Sequence, residues 1–150
     1  MVKVLVISIS TPILIGIYKD DQLVESISKE GMTSDILPLL FKDLLLRYEI
    51  EELLYVNGPG SYMAIKVAYI FLKTISITNN IQLKACDGFE FNQNSPIKAL
   101  GKKYFIKKDG SILIDFLKDE EIKDFELPSS LDKDIFSEDS LPTYNLPAVN

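Results

Sequence analysis

Residues 53–77 read LLYVNGPGSYMAIKVAYIFLKTISI, and this stretch decides the fold. The apolar run at 53–56 has the length of a buried strand. The turn-forming residues NGPGS follow at 57–61, and a second apolar segment at 62–77 is long enough for a helix. A strand that passes through a tight glycine turn into a helix is typical of α/β folds.

The chain before this unit predicts an antiparallel meander of three strands. Residues 2–9 and 13–18 are rich in Val and Ile, and the turn formers at 10–12 separate them. After a turn at 20–21, residues 22–28 alternate apolar and polar side chains, which predicts a less buried third strand.

A first helix is predicted between the meander and the glycine turn. Thr33, Ser34 and Asp35 are capping residues, and the leucine-rich stretch 36–48 follows them. Pro38 is compatible with a helix because it lies near the start.

The second half of the chain carries weaker signals. Residues 103–106 and 111–114 flank the sequence KKDG, and an Asp-Gly pair between apolar runs predicts a β-hairpin. Residues 115–150 contain ten acids and three lysines, a net charge of −7, which predicts a loosely ordered acidic tail after a short helix at 116–125.

Composition excludes several classes of function. The 150 residues include no histidine and one cysteine, Cys86, so imidazole-based catalysis, mixed Cys/His zinc sites and an internal disulfide are excluded. The net charge of −6 argues against a long positive groove for nucleic acid. The apolar start is interrupted at 8–12, which argues against a membrane span or signal peptide, and we expect a cytoplasmic protein with Cys86 in its core.

Both predicted helices carry more apolar surface than one packed face requires. In the second helix only Lys66 and Lys73 form a narrow polar stripe. Either the helices cover each other and the sheet within one domain, or they leave an apolar patch for a second subunit. The second reading predicts dimerisation through Leu37, Leu40, Leu44, Ile65, Tyr69, Leu72 and Lys73.

The glycine turn is also a candidate anion site. Free N–H groups at Gly58, Gly60 and Ser61, at the start of a helix, could receive a phosphate, although tight turns use glycine for purely structural reasons as well. The turn lacks the lysine of a P-loop.

Two charged clusters in the second half have simpler explanations. Lysines interleave with the acids Asp115, Asp119, Glu120, Glu121 and Asp124, which favours an exposed helix face over a metal site. The lysines at 102, 103, 107 and 108 are typical of a solvated hairpin, and contact with nucleic acid in a larger assembly is the alternative. No metal site is predicted.

The run GPGSYMAIKVA at 58–68 resembles the signature GPGSFTGLRIG of the bacterial TsaB (YeaZ) family. The sequence LVISIST at 5–11 resembles the opening strand of that family, usually AIDTST, and SDILP at 34–38 is similar to the start of its first helix. The resemblance covers about residues 2–77, and LPTYN at 141–145 is similar to the closing segment of the family.

The resemblance implies an actin-like ATPase (ribonuclease H-like) fold. A first lobe at 1–80 would carry the meander and the dimerisation helices, and 81–150 would form a reduced second lobe and the acidic tail. Members of the family are noncatalytic partners of TsaD, the related enzyme that transfers a threonylcarbamoyl group to adenosine 37 of tRNA, and the ATPase TsaE joins them. Their helices form a heterodimer or homodimer interface.

Departures from the family pattern argue against catalysis by this chain. Ser8 replaces an aspartate that in active members of the superfamily helps to hold a metal-bound phosphate. Met63, Ala64, Lys66 and Ala68 replace Thr, Gly, Arg and Gly, and residues 99–104 lack the aspartate of the family's second lobe.

The sequence therefore predicts a noncatalytic subunit without a cofactor. Its partners would be a TsaD-like paralogue, a TsaE-like ATPase and, only through the complex, tRNA. A homodimer is possible when the partner is absent. The alternative is a small nucleotide-binding phosphotransferase of the actin-like superfamily. The sequence offers no candidate residues for peptidase activity, because it contains no histidine and no second thiol.

Overall fold

The computed structural model describes residues 1–144, and a mixed five-stranded sheet lies at its centre. Its strands in chain order are β1 (Val2–Ile7), β2 (Ile13–Lys19), β3 (Gln22–Lys29), β4 (Ile50–Val56) and β5 (Gln82–Cys86). The spatial order is β3-β2-β1-β4-β5, with β1, β2 and β3 antiparallel and β4 and β5 parallel to β1. The predicted meander and the α/β class are confirmed.

The central strand β1 is buried on both sides, which explains its unbroken apolar sequence. Val4 and Val6 point toward the helix layer, whereas Leu5 and Ile7 point to the opposite face. The edge strand β3 instead alternates half-buried and exposed residues, as its sequence predicts.

Two helices cover one face of this sheet. They are α1 (Thr33–Arg47) and α2 (Tyr62–Asn79), and neither is long and apolar enough to cross a membrane. Phe41 and Phe71 meet edge to face between them, with ring centroids 5.5 Å apart. Helix α1 starts at Thr33, so the predicted capping residues lie inside its first turn.

The other face is covered by residues 125–136, which contain one short 3-10 helix (Lys133–Ile135) and no α-helix. Phe125, Leu127, Leu131 and Phe136 pack against the buried side chains of the sheet. This segment bonds to both sheet edges. The N–H of Leu23 donates to the carbonyl of Ser129 at 2.9 Å, and Ala85 and Ser137 exchange two backbone bonds of 3.0 and 2.7 Å.

The predictions for the acidic segment are therefore wrong within the described residues. The chain from 125 to 143 is held by backbone hydrogen bonds and buried apolar side chains. Packing on the otherwise uncovered sheet face removes these apolar side chains from water, which is favourable. No helix forms at 116–125, since strand pairing continues to Phe116 and an irregular segment follows. Residues 145–150, the end of the predicted tail, lie outside the described residues.

The second sheet has three antiparallel strands, β6 (Ile97–Lys98), β7 (Lys103–Lys108) and β8 (Ser111–Phe116). The predicted hairpin is confirmed. Its turn consists of Asp109 and Gly110, both with positive φ (51° and 79°), which is the geometry of a two-residue type I′ turn.

The predicted division at residue 80 passes through the first sheet. Strand β5 comes after that point and pairs with β4, and the chain returns to the same sheet at 125–143. Residues 88–124 lie between these two parts of the chain and include the three-stranded sheet.

Burial on α2 gives a direct test of the core. Leu72 is 0% exposed and Leu46 on α1 is 83% exposed. Leu72→Ala should lower the free energy of unfolding by about 2–5 kcal/mol, because it leaves a cavity between helix and sheet. Leu46→Ala, the same change at the surface, should stay within about 0.5 kcal/mol. Urea denaturation of both variants measures the difference, and equal losses would contradict this packing.

The end of α1 is fastened to β3 by a charged cluster. The guanidinium of Arg47 donates two bonds, of 2.8 and 2.9 Å, to the carboxylate of Glu25, and the hydroxyl of Tyr48 donates a third. The hydrogen bonds from Arg47, which contribute most, and from Tyr48 lower the pKa of Glu25 from 4.5 to about 2.

A lowered pKa in the folded state means that this carboxylate stabilises the fold only while it is ionised. Its contribution is complete above pH 4.5 and disappears as the pH falls toward about 2. The difference in melting temperature between the wild type and Glu25→Gln should therefore shrink across that range. A difference that stays constant with pH would show that Glu25 does not titrate in this way.

Candidate functional site: the glycine turn, the cleft beside it and the outer helix face

The glycine turn connects the end of β4 to the start of α2, as the sequence predicts. Ser61 is the N-cap, and its Oγ accepts a long bond of 3.4 Å from the N–H of Ala64. The carbonyl of Gly58 accepts from the N–H of Gly88 at 2.9 Å, which ties the turn to the chain that follows β5.

The C-terminal part of the chain closes one side of this turn. The N–H of Thr143 donates to the carbonyl of Asn57 at 2.8 Å, and the side-chain amide of Asn57 donates to the carbonyl of Leu141 at 2.9 Å. The carbonyl oxygen of Thr143 then lies too close to Gly58 for a Cβ to be added there, and Gly58 has φ +138°. Gly58 is therefore required by a close approach of the chain to itself.

Gly60 and Ser61 face a cleft of about 650 Å³ between the two sheets. Ile9, Thr11 and Pro12 form one wall, and Tyr104 and Phe125 lie on the opposite side. The walls are mainly apolar. Of the three predicted anion-site residues, the structure brings Gly60 and Ser61 together at this cleft, and Gly58 faces the carbonyl of Thr143 instead.

Ser8 follows β1 and is 5% exposed. It lines a depression of about 330 Å³ between the first turns of α1 and α2, and its Oγ has no hydrogen-bond partner within residues 1–144. No acidic side chain lines this depression, and Asp124 is the one acid on the walls of the cleft among the described residues. Within the same part of the chain, no three His, Cys, Asp or Glu side chains are grouped as metal ligands.

The predicted partner interface needs correction at four positions. The helix phase turns these residues toward the sheet, where they are at most 1% exposed and belong to the chain's own core: Leu37, Leu44, Ile65 and Leu72. Leu40, Tyr69 and Lys73 are half-buried at the margins of the outer face.

The outer face of the helix pair is nevertheless strongly apolar. Exposed apolar side chains follow each helix at a spacing of seven residues, and we call these six residues the outer rows: the N-cap Met32 with Leu39 and Leu46 of α1, and Met63, Ile70 and Ile77 of α2. Met32 and Met63 line the same depression, so the two rows begin side by side. The spacing of seven residues is visible in the sequence and could have identified these residues.

The remaining charged clusters are at the surface. Lys107 pairs with Asp87 at 2.7 Å, and Lys103 lies over the ring of Phe116. The other predicted basic residues, Lys102 and Lys108, are exposed. The acids at 115–124 lie in a strand end and an irregular segment and not on the predicted helix face.

Cys86 lies at the end of β5 and is buried. Burial raises the pKa of its thiol, with smaller contributions from Asp87 and Glu90, so the thiol stays protonated. The prediction of a core cysteine is confirmed.

Two glycine substitutions test whether the contact with Thr143 requires a glycine at position 58. Gly58→Ala should lower the free energy of unfolding by more than about 1–3 kcal/mol, because it adds a collision with the Thr143 carbonyl to the strain of positive φ. Gly101→Ala is the matched control, since φ is +60° there and no atom lies within 4 Å of the added Cβ. Chemical denaturation compares the two, and equal losses would mean that the Thr143 contact is absent.

Comparison with known proteins supports the fold. No family model and no curated protein matches the sequence. Among the solved structures that are similar, two each have a TM-score of 0.57 and 10% sequence identity. The first is YeaZ from Pseudomonas aeruginosa, of which 66% is covered by 81% of this chain. The second is an uncharacterized protein with similarity to peptidase YEAZ from Pseudomonas aeruginosa, of which 66% is covered by 82% of this chain.

The chain thus spans slightly less than two thirds of the length of these structures. At 10% identity the likeness concerns the fold and not the activity. It agrees with the resemblance of residues 2–77 to the TsaB (YeaZ) family, and the chain has a shortened version of the YeaZ fold.

Proposed function

We propose that this chain is a noncatalytic subunit of the TsaB type in the N6-threonylcarbamoylation of tRNA adenosine 37. In this role it binds a TsaD-like catalytic paralogue through the helix pair and stabilises its active arrangement. The observation that carries the proposal is the pair of outer rows, six exposed apolar side chains on two adjacent helices and the N-cap of α1. The YeaZ-like fold and the signature at 58–68 support it.

The outer rows suit a helical partner. Side chains repeating every seven residues form a straight seam that a second helix can pack along. Two seams starting together at Met32 and Met63 would accept a pair of helices, as a related subunit with the same fold could supply. The same surface could hold a second copy of this chain when the paralogue is absent.

Three features of the site support an accessory role. Ser8 offers no charge for a metal-bound phosphate, the Thr143 carbonyl fills the turn at Gly58, and the apolar cleft has a single acid in its described lining. We propose that the actin-like fold is kept here for its surface. In this proposal the chain is cytoplasmic, a TsaE-like ATPase joins the complex, and tRNA is contacted only through it.

Charge on the outer rows should weaken association. Leu39→Lys or Ile70→Lys should reduce the affinity for the TsaD-like paralogue of the same organism at least about tenfold, because each buries an unpaired ammonium in the contact. Isothermal titration calorimetry measures the affinity. Val24→Lys on β3 is the matched control, since Val24 and Ile70 are both 54% exposed.

Unchanged affinity in both helix variants, with all three proteins folded, would contradict the proposed interface. The same instrument tests the phosphotransferase alternative. That alternative requires magnesium-dependent binding of ATP by the isolated chain, and it is favoured by the cleft beside Gly60 and Ser61. Tight ATP binding that is weakened by Gly60→Val would replace the accessory role with an enzymatic one.

A further inference from the structure

The start of helix α1 has no side-chain cap. Its N-cap is Met32, whose side chain has no oxygen to accept a hydrogen bond, and the structure shows no side-chain bond at this position. The N–H groups of Thr33 and Ser34 have no backbone partner among the described residues. Two backbone donors are therefore available at the end of a helix of 15 residues.

The start of α2 lies beside it and is capped only in part. Ser61 accepts the long bond of 3.4 Å from the N–H of Ala64, while the N–H of Met63 has no backbone partner within residues 1–144. Met63 and the two α1 residues line the same depression of about 330 Å³. The positive ends of two helix dipoles thus meet at one place.

The Ser8 side chain is an independent sign that this depression suits a hydrogen-bond acceptor. Val4 and Val6 of β1 point toward the helix layer, and Ser8 continues this alternation, so its side chain faces the depression between the helices. Ser8 is 5% exposed, and its Oγ has no hydrogen-bond partner within residues 1–144. A buried hydroxyl without a partner is unfavourable, and a bound acceptor would remove that penalty.

The lining of the depression offers donors and no charge. Among the described residues, no acidic or basic side chain lines it. Glu30 and Asp35, the acids nearest to Thr33 in the chain, are exposed and lie outside the lining. The lining therefore supplies no carboxylate for a divalent cation, whereas an anion meets N–H and O–H groups.

We propose that this depression binds a phosphate group without a metal ion. The N–H groups of Thr33, Ser34 and Met63 and the hydroxyl of Ser8 donate to its oxygens. These donors come from two helices and the end of a strand, an arrangement that suits a tetrahedral ion. Because no charged side chain takes part, the Kd for inorganic phosphate is expected to be on the order of 1 mM. The inference goes beyond the proposed function and does not depend on it.

Apolar side chains next to the donors leave room for the rest of a phosphate monoester. Met32, Met63 and Val67 line the same depression. An ester with an apolar group can bury that group against them, so phenyl phosphate should bind more tightly than inorganic phosphate if the natural ligand is a monoester. Tighter binding of inorganic phosphate would identify the free ion as the ligand.

An NMR titration at constant ionic strength tests the site. Inorganic phosphate should shift the amide signals of Thr33, Ser34 and Met63 along saturable curves, whereas sodium chloride at the same ionic strength should not. Absence of saturation at these amides up to about 20 mM phosphate would overturn the proposal. A requirement for magnesium would overturn it as well, in favour of the phosphotransferase alternative.

Ser8→Ala tests the buried hydroxyl. This change should weaken phosphate binding at least about threefold, because one donor to the phosphate is removed. The fold should stay intact, since the hydroxyl makes no hydrogen bond within the described residues. Ser26→Ala on β3 is the matched control, because Ser26 lies outside the lining and its loss should leave the affinity unchanged.

Met32→Asp supplies an acceptor from the chain itself. The new carboxylate should cap α1 and raise the melting temperature. It should also reduce the phosphate affinity at least about tenfold, because it takes the same backbone donors and adds a negative charge. If the Ser8→Ala and Met32→Asp variants both bind phosphate as the wild type does, phosphate does not occupy this depression and the proposal is overturned.

Discussion

The central sheet must be covered on both faces, and the other features of the structure depend on this constraint. Strands β1 and β4 are buried on either side, so neither face can be left to solvent without exposing several Val, Leu and Ile side chains. The two helices cover one face. Residues 1–144 contain no third α-helix for the other face, and the segment 125–136 covers it instead. An acidic, proline-containing segment is thereby held in place.

This cover also determines the state of the glycine turn. To reach both edges of the sheet, the segment crosses from β3 to β5 and continues past the start of α2, where Thr143 meets Gly58 and the ring of Tyr144 lies 4.5 Å from that of Tyr62. The turn that resembles a phosphate-binding element is therefore partly occupied by the chain's own backbone at Thr143. A glycine at this turn can serve phosphate binding or a close approach of the backbone, so the presence of Gly58 alone does not identify a ligand site.

The sequence predicted what depends on local pattern and missed what depends on tertiary packing. The meander, both helices and the Asp-Gly hairpin follow from apolar periodicity and turn residues. The phase of each helix relative to the sheet does not, so Leu37 and Leu72 were predicted at an interface and lie in the core. The ordered structure of residues 125–143 was not predicted, because their acidic composition is typical of disorder. Their conformation depends instead on a few apolar side chains that pack against the second face of the sheet.

Excess apolar surface in this chain lies on two separate surfaces, and their geometries differ in what they can bind. The outer rows of α1 and α2 carry side chains whose own backbone groups are already paired within the helices, so affinity there comes from burial and shape. The edge of β8 has no strand beside it within residues 1–144, so it would select for a strand and tolerate many side chains.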